Sequence, residues 1–174
     1  YRAMTWAVLQ AGVDPQDADA VRAAAADIVI ESPVVEGKTQ VCISGRTLKD
    51  AELNSDPVNR AVSFIARVDE VRDRLVAYQR ELAADGPLVM EGRDIGSVVF
   101  PGSPHKIYIY AIEEVRASRR GAQGLSDQIA ERDRIDKQRK HSPLVIPAGA
   151  IVIDNSHITL DQAVDQVIEV LQLS

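Results

Sequence analysis

Cysteine is nearly absent from these 174 residues: Cys42 stands alone. It cannot close an internal disulfide, so the chain reads as a reduced, cytoplasmic protein. No apolar run approaches the length of a membrane span or a signal-peptide core, and no membrane partner is expected. A basic surplus is also missing. The formal net charge is −6, against the positive balance usual in proteins that hold a nucleic-acid backbone, so nucleic acid is not an expected partner. His105, His141 and His157 are scattered, with neither zinc spacing nor a partnered cysteine, and no metal ligands are expected from them. No glycine-rich phosphate loop ending in Lys-Ser or Lys-Thr occurs. Internal repeats and low-complexity tracts are lacking too.

What is present suffices for one good core. With 45% hydrophobic residues in 19.0 kDa, one main domain with appendages is expected. Charge is unevenly spread. Residues 116–140 hold eight Arg or Lys against four acids, a local +4 that leaves −10 for the remainder. A basic element on an acidic body suits a small phosphate-rich ligand; a solvated helix laced with i,i+4 pairs has the same composition.

"YRAMTWAVLQAGV" places Tyr1, Met4, Val8 and Ala11 at helical spacing with no cap before it, as if the helix began upstream. "PQDADAVRAAAADI" reads as a short second helix. "DIVIES" and "TQVCISGRTL" are β-prone runs around a "PVVEGK" turn, so residues 27–48 read as an antiparallel hairpin. Asp56 as N-cap and Pro57 at N1 open a helical pattern that continues to Gly86, with a bend near Asp69. "PLVME", "KIYIYA" and "AIVIDNS" are continuous apolar runs of the kind found in covered parallel strands. In the last helix, Thr159 and Gln162 make a capping box. Strands alternating with helices give an α/β core, with the hairpin as an insertion.

Two groups of residues have chemical potential. "LVMEGRDIG" ends an expected strand near Glu91, which puts Gly92, Arg93 and Asp94 at the carboxyl rim where α/β sheets collect ligands. Gly92 and Gly96 allow close backbone approach, Arg93 offers a planar fork for phosphate, and Asp94 an acceptor. A structural Arg/Asp pair in a tight turn fits the same residues. In "ERDRIDKQR", Arg132, Asp136 and Arg139 share one helix face. They would form either an anion-binding face or a salt-bridge ladder. Taken alone, Ser63 is a small residue on a helix, Arg72 a surface charge, and Tyr1 and Trp6 core aromatics.

With these residues in view, the sequence resembles the bacterial cytidylate kinases. "YRAMTWAVLQAGVDP", "DPVNRAVSFIARVDEVRDRL", "EGRDIGSVVFPGSPHKIYIYA" and "ERDRIDKQRKHSPL" carry the match in the family's order. The resemblance implies a P-loop nucleoside-monophosphate-kinase α/β fold with a parallel sheet. Its parts would be core at residues 1–26, 73–118 and 140–174, a monophosphate-binding insertion at 27–72 and a lid at 119–139. It implies transfer of the γ-phosphate of ATP to CMP or dCMP with Mg²⁺, in pyrimidine metabolism, by a monomer. Arg2, Arg93 and Arg139 match the arginines around the acceptor phosphate. Ser63, Arg72 and Asp94 match the residues that read the cytosine edge, and Arg132 and Asp136 match contacts to the sugar. Arg93, Asp94 and Arg139 would act in catalysis, while Arg119 and Arg120 would begin the lid over ATP.

The family's first strand and glycine-rich loop do not occur in these residues, and the stretch from Arg120 to Arg132 is shorter than the family's lid. The resemblance therefore implies that further residues precede Tyr1 and extend the lid. Two other readings compete: a CMP-binding fragment without an ATP site, and a kinase for UMP or AMP, which would not share the Ser63, Arg72 and Asp94 set.

Overall fold

Ala3, Met4, Ala7 and Val8 recur on one helical face, and helix α1 spans Arg2–Gln10 with that face buried. Gly12 ends it. At φ 70° that glycine adopts the left-handed turn that lets the amides of Gly12 and Val13 reach back to Leu9 and Val8. The computed structural model describes residues 1–122 and 144–172, and the chain divides into two compact units, Tyr1–Ala77 and Tyr78–Ser174.

In the first unit, α2 (Ala18–Ala26) starts at Asp17, whose carboxylate accepts from the amides of Asp19 and Ala20. Its C-terminal end is closed by Arg74, which donates to the carbonyls of Ala25, Ala26 and Ile28. Five two-residue strands follow: β1 (Ile30–Glu31), β2 (Val34–Val35), β3 (Lys38–Thr39), β4 (Cys42–Ile43) and β5 (Arg46–Thr47). The expected antiparallel pairing is present as β1 against β4, with Ile30 opposite Ile43.

The connection is more than a turn. "PVVEGK" forms its own ladder, β2 on β3, with Glu36 and Gly37 both at positive φ in the tip. A second such tip, Ser44–Gly45, folds β5 back on β4. After α3 (Asp50–Leu53), the long helical pattern divides into α4 (Asp56–Ile65) and α5 (Asp69–Leu82), which breaks it where the sequence predicts a bend. The cap of α4 is Ser55 rather than Asp56, one residue earlier than the sequence suggests. Met4, Val8, Val21, Ala25, Ile65, Val68, Val71 and Leu75 form the core of this unit.

The second unit is built on a parallel pair, β6 (Ile107–Tyr110) with β7 (Ile151–Asp154), Ile107 opposite Ile151. Helix α6 (Glu113–Ala122) follows β6, and α7 (Leu160–Leu171) follows β7. The capping box is as read from the sequence: Thr159 Oγ1 accepts from Gln162 N, and Gln162 Oε1 accepts from Thr159 N. The third expected strand, residues 87–91, joins no ladder among the described residues, and Val89 is 99% exposed. An apolar run supplies side chains for the faces of a sheet, whereas a strand also needs a neighbour's amides and carbonyls.

Candidate functional site

Arg2 opens α1, and its Nη1 donates to Leu53 O at 2.9 Å and to Asn59 Oδ1 at 2.6 Å. Asn59 is in turn fixed through Nδ2, which donates to Asn54 O at 2.8 Å. One turn further along α4, Ser63 is also buried, so these two polar side chains share a helix face made otherwise of apolar residues.

Arg72, expected at the surface from its charge alone, is only 4% exposed on the inner face of α5. Its guanidinium lies over the Tyr1 ring, 5.3 Å from the centroid, and Nη1 donates to the Tyr1 hydroxyl at 3.2 Å. Tyr1 is therefore more than a core aromatic: it supports a buried cation with both its π face and its oxygen. The first unit thus brings Arg2 to Asn59 and Tyr1 to Arg72, with Ser63 on the same helix as Asn59.

In the second unit, Arg93 and Asp94 immediately precede a π-helical turn over Ile95–Val99. The carbonyl of Asp94 accepts from the amides of Val98 and Val99, and Phe100 N donates to Ile95 O at 2.7 Å. Arg80 holds the far end, donating through Nε to Val99 O and through Nη2 to Val98 O. Asp94 is 6% exposed and Arg93 half-buried. The close approaches expected at the two glycines are made by the protein itself. A Cβ at Gly96 would stand 3.0 Å from Pro147 Cγ and 3.2 Å from Lys106 Cδ, and one at Gly92 would stand 2.8 Å from Ile95 Cγ1.

Arg119 and Arg120 lie in the last turn of α6. Arg119 reaches the end of β7, donating to Asn155 O at 2.7 Å and Asn155 Oδ1 at 3.0 Å. Arg132, Asp136 and Arg139 lie outside the described residues. Among the described residues, no three His, Cys, Asp or Glu side chains are grouped to hold a metal ion, and no helix is long and apolar enough to cross a membrane.

Sequence reasoning passed over Asn59 and gave Tyr1 too small a part. A signal for Asn59 was available in its i,i+4 spacing from Ser63 within an apolar helix face. The signal for Tyr1 was weaker, since nothing in the sequence pairs it with a residue 71 positions away.

The family described as cytidylate kinase matches residues 1–173. A cytidylate kinase of Mycobacterium avium is 40% identical over 95% of this chain and 77% of its own length. One from Nocardia farcinica is 37% identical over 98% of this chain and 78% of its own. A third, from Geobacillus thermodenitrificans, is 37% identical over 98% of this chain and 81% of its own. Matches of this extent, on a chain that shows the expected parallel pair and the expected antiparallel pairing of β1 with β4, show that it belongs to the cytidylate kinase family.

Proposed function

We propose that this chain phosphorylates CMP or dCMP from ATP, with Ser63, Arg72 and Asp94 reading the cytosine and Arg2, Arg93 and Arg139 surrounding the acceptor phosphate. As a member of the cytidylate kinase family it is an ATP-dependent phosphotransferase. The observation that carries the residue assignment is burial. Six polar or charged side chains are buried among the described residues, and Ser63, Arg72 and Asp94 are three of them. Keeping a guanidinium and a carboxylate out of water costs several kcal/mol per charge unless partners compensate. A pocket that must recognise an amino group and a ring nitrogen gives a reason to bear that cost.

The division of labour follows from the chemistry. Phosphoryl transfer needs little covalent assistance; it needs in-line placement and positive charge around the group in flight. Arg2, Arg93 and Arg139 would supply that charge at the acceptor, and Arg132 and Asp136 would hold the sugar. Arg119 and Arg120, at the end of α6, would face the donor and help exclude water, the competing acceptor. The divalent ion, Mg²⁺ in this reading, would arrive on the ATP phosphates, because hard cations of this size favour phosphate and water oxygens over protein cages. It would offset the charge of the donor phosphates. A monomer is the state this reading takes.

Titration calorimetry with CMP and UMP tests the assignment. Cytosine offers an amino donor where uracil offers a carbonyl, so UMP would leave the acceptors of Asp94 and Ser63 unmatched. Such a mismatch costs about 1–3 kcal/mol, and CMP is expected to bind roughly 5- to 150-fold more tightly. Equal affinities would remove the base-reading role from these residues.

A further inference from the structure

We infer that Arg80 is a positioning residue for Asp94: its guanidinium grips the two residues whose amides hold the Asp94 carbonyl, and so fixes where the Asp94 carboxylate meets the base. The inference rests on the reading of Asp94 as a cytosine reader. It goes beyond that reading by assigning a role to a side chain outside the proposed nucleotide contacts.

Val98 and Val99 are the link. Their amides donate to Asp94 O at 2.9 and 3.2 Å. Their carbonyls accept from Arg80, Val98 O from Nη2 at 2.9 Å and Val99 O from Nε at 3.0 Å. The single peptide group that joins Val98 to Val99 is therefore held at both ends, its oxygen by Arg80 and its N–H by Asp94 O. Nε and Nη2 form one edge of a rigid planar fork, which sets two successive carbonyls at a fixed spacing.

A π turn needs such a restraint. Turns of this kind are rare beside the ordinary α turn, and they recur at functional sites. Asp94 O is already shared between the amide four residues on, which is the α bond, and the amide five residues on, which is the π bond. Closing on the nearer amide alone would change the path of the chain where Asp94 enters the turn. A turn of five residues offers no internal donors to its last carbonyls, and Arg80 supplies two from α5. Solvation alone does not call for an arginine here. Arg80 is exposed and its bond to Val98 O lies at the surface, where water would satisfy the same oxygen. Water cannot hold two carbonyls at a set spacing, and ordering a long side chain costs conformational entropy. Exact placement of Asp94 gives a use for that ordering.

Calorimetry with CMP and UMP on Arg80→Lys, alongside a thermal melt, separates positioning from stability. Lysine keeps the charge but is a point donor that cannot span both carbonyls as the fork does. CMP is expected to bind about tenfold more weakly, with UMP within about twofold of wild type, so that their ratio falls toward one. A purely structural role lowers the thermal midpoint and leaves the ratio as in wild type, and that result overturns the inference. A double-mutant cycle with Asp94→Ala gives a second reading: once the carboxylate is gone, Arg80→Lys should cost no further CMP affinity, whereas additive losses overturn the inference. If Arg80→Lys does not fold, Arg80→Gln, which keeps one donor group, is compared in the same way. Equal affinity of wild type for CMP and UMP would instead remove the reading of Asp94 on which the inference rests.

Discussion

Arg72 and Asp94 retain 4% and 6% of their exposure, and that degree of burial separates them from ordinary surface charges. Spacing in the sequence could not make the separation. "GRDIG" fits a ligand rim and a structural turn equally well, and Arg72 sits in a helix already rich in charge; the resemblance, not the pattern, singled them out. Asn59 was less legible still, because its hydrogen bonds run to Asn54 and to Arg2, 57 residues away. Arg93 provides the most direct test at this scale. Its side chain is half-buried beside the π turn. Arg93→Ala is expected to keep the fold and to lose transition-state stabilisation, with kcat for CDP formation falling about 10²-fold or more, as when one preorganised donor is removed from a charged transition state. Circular dichroism alongside steady-state kinetics checks both halves. Unchanged kcat in a folded variant would return Arg93 to the structural-turn reading.

Elements with local causes were legible, while those depending on distant partners were not. The helix starts at Asp17 and Thr159 follow from capping chemistry within a few residues. The bend that the sequence places near Asp69 is where α4 gives way to α5. By contrast, the π turn at Ile95–Val99 is held at its far end by Arg80, and nothing in "DIGSVVF" announces it. The loop after β7 shows a further non-local arrangement. Ser156 Oγ donates to Asp154 Oδ1 at 2.5 Å, Ser156 N donates to the same oxygen at 2.9 Å, and Ser156 Oγ accepts from Ile112 N at 2.9 Å.

The hydroxyl bond, followed by the amide bond, holds the Asp154 carboxyl below its ordinary range. A carboxyl that ionises more readily when folded leaves the unfolded chain binding more protons. Its stabilisation is therefore complete above the unfolded value, about 3.9, and is lost as pH falls through the lower folded value. Ser156→Ala should move Asp154 back toward the ordinary range and reduce its share of the acid-side loss of stability. An NMR titration of the Asp154 side chain reads this directly, and an unmoved midpoint would show that the hydroxyl is not the cause.

At the scale of the whole molecule, composition set the class and order set the fold. The continuous apolar runs at 107–110 and 151–154 became a parallel pair, but not strands covered on both faces: of their residues only Ile153 is buried, and Ile109, Tyr110, Ile151 and Val152 are exposed. The run at 87–91 joins no ladder among the described residues, because pairing is a property of two strands. Charge works at the same scale. A chain with net charge −6 gives a nucleotide dianion no general attraction, and in the proposed reading local arginines and matched groups at the base hold CMP instead. Binding of that kind discriminates between folded and unfolded chain, and it stabilises the former by mass action. With CMP at about 100 times its dissociation constant the gain is about 2.7 kcal/mol, which in a protein of this size raises the thermal midpoint by about 5–10 °C. UMP at the same concentration has the same phosphate but not the cytosine amino group. With affinity roughly 5- to 150-fold lower, it should contribute only about 0.3–1.8 kcal/mol and a correspondingly smaller shift. Thermal melts with each nucleotide at equal concentration measure the difference. Equal shifts would mean that the protein recognises the phosphate and sugar alone, and that the burial of Ser63, Arg72 and Asp94 serves the fold rather than the base.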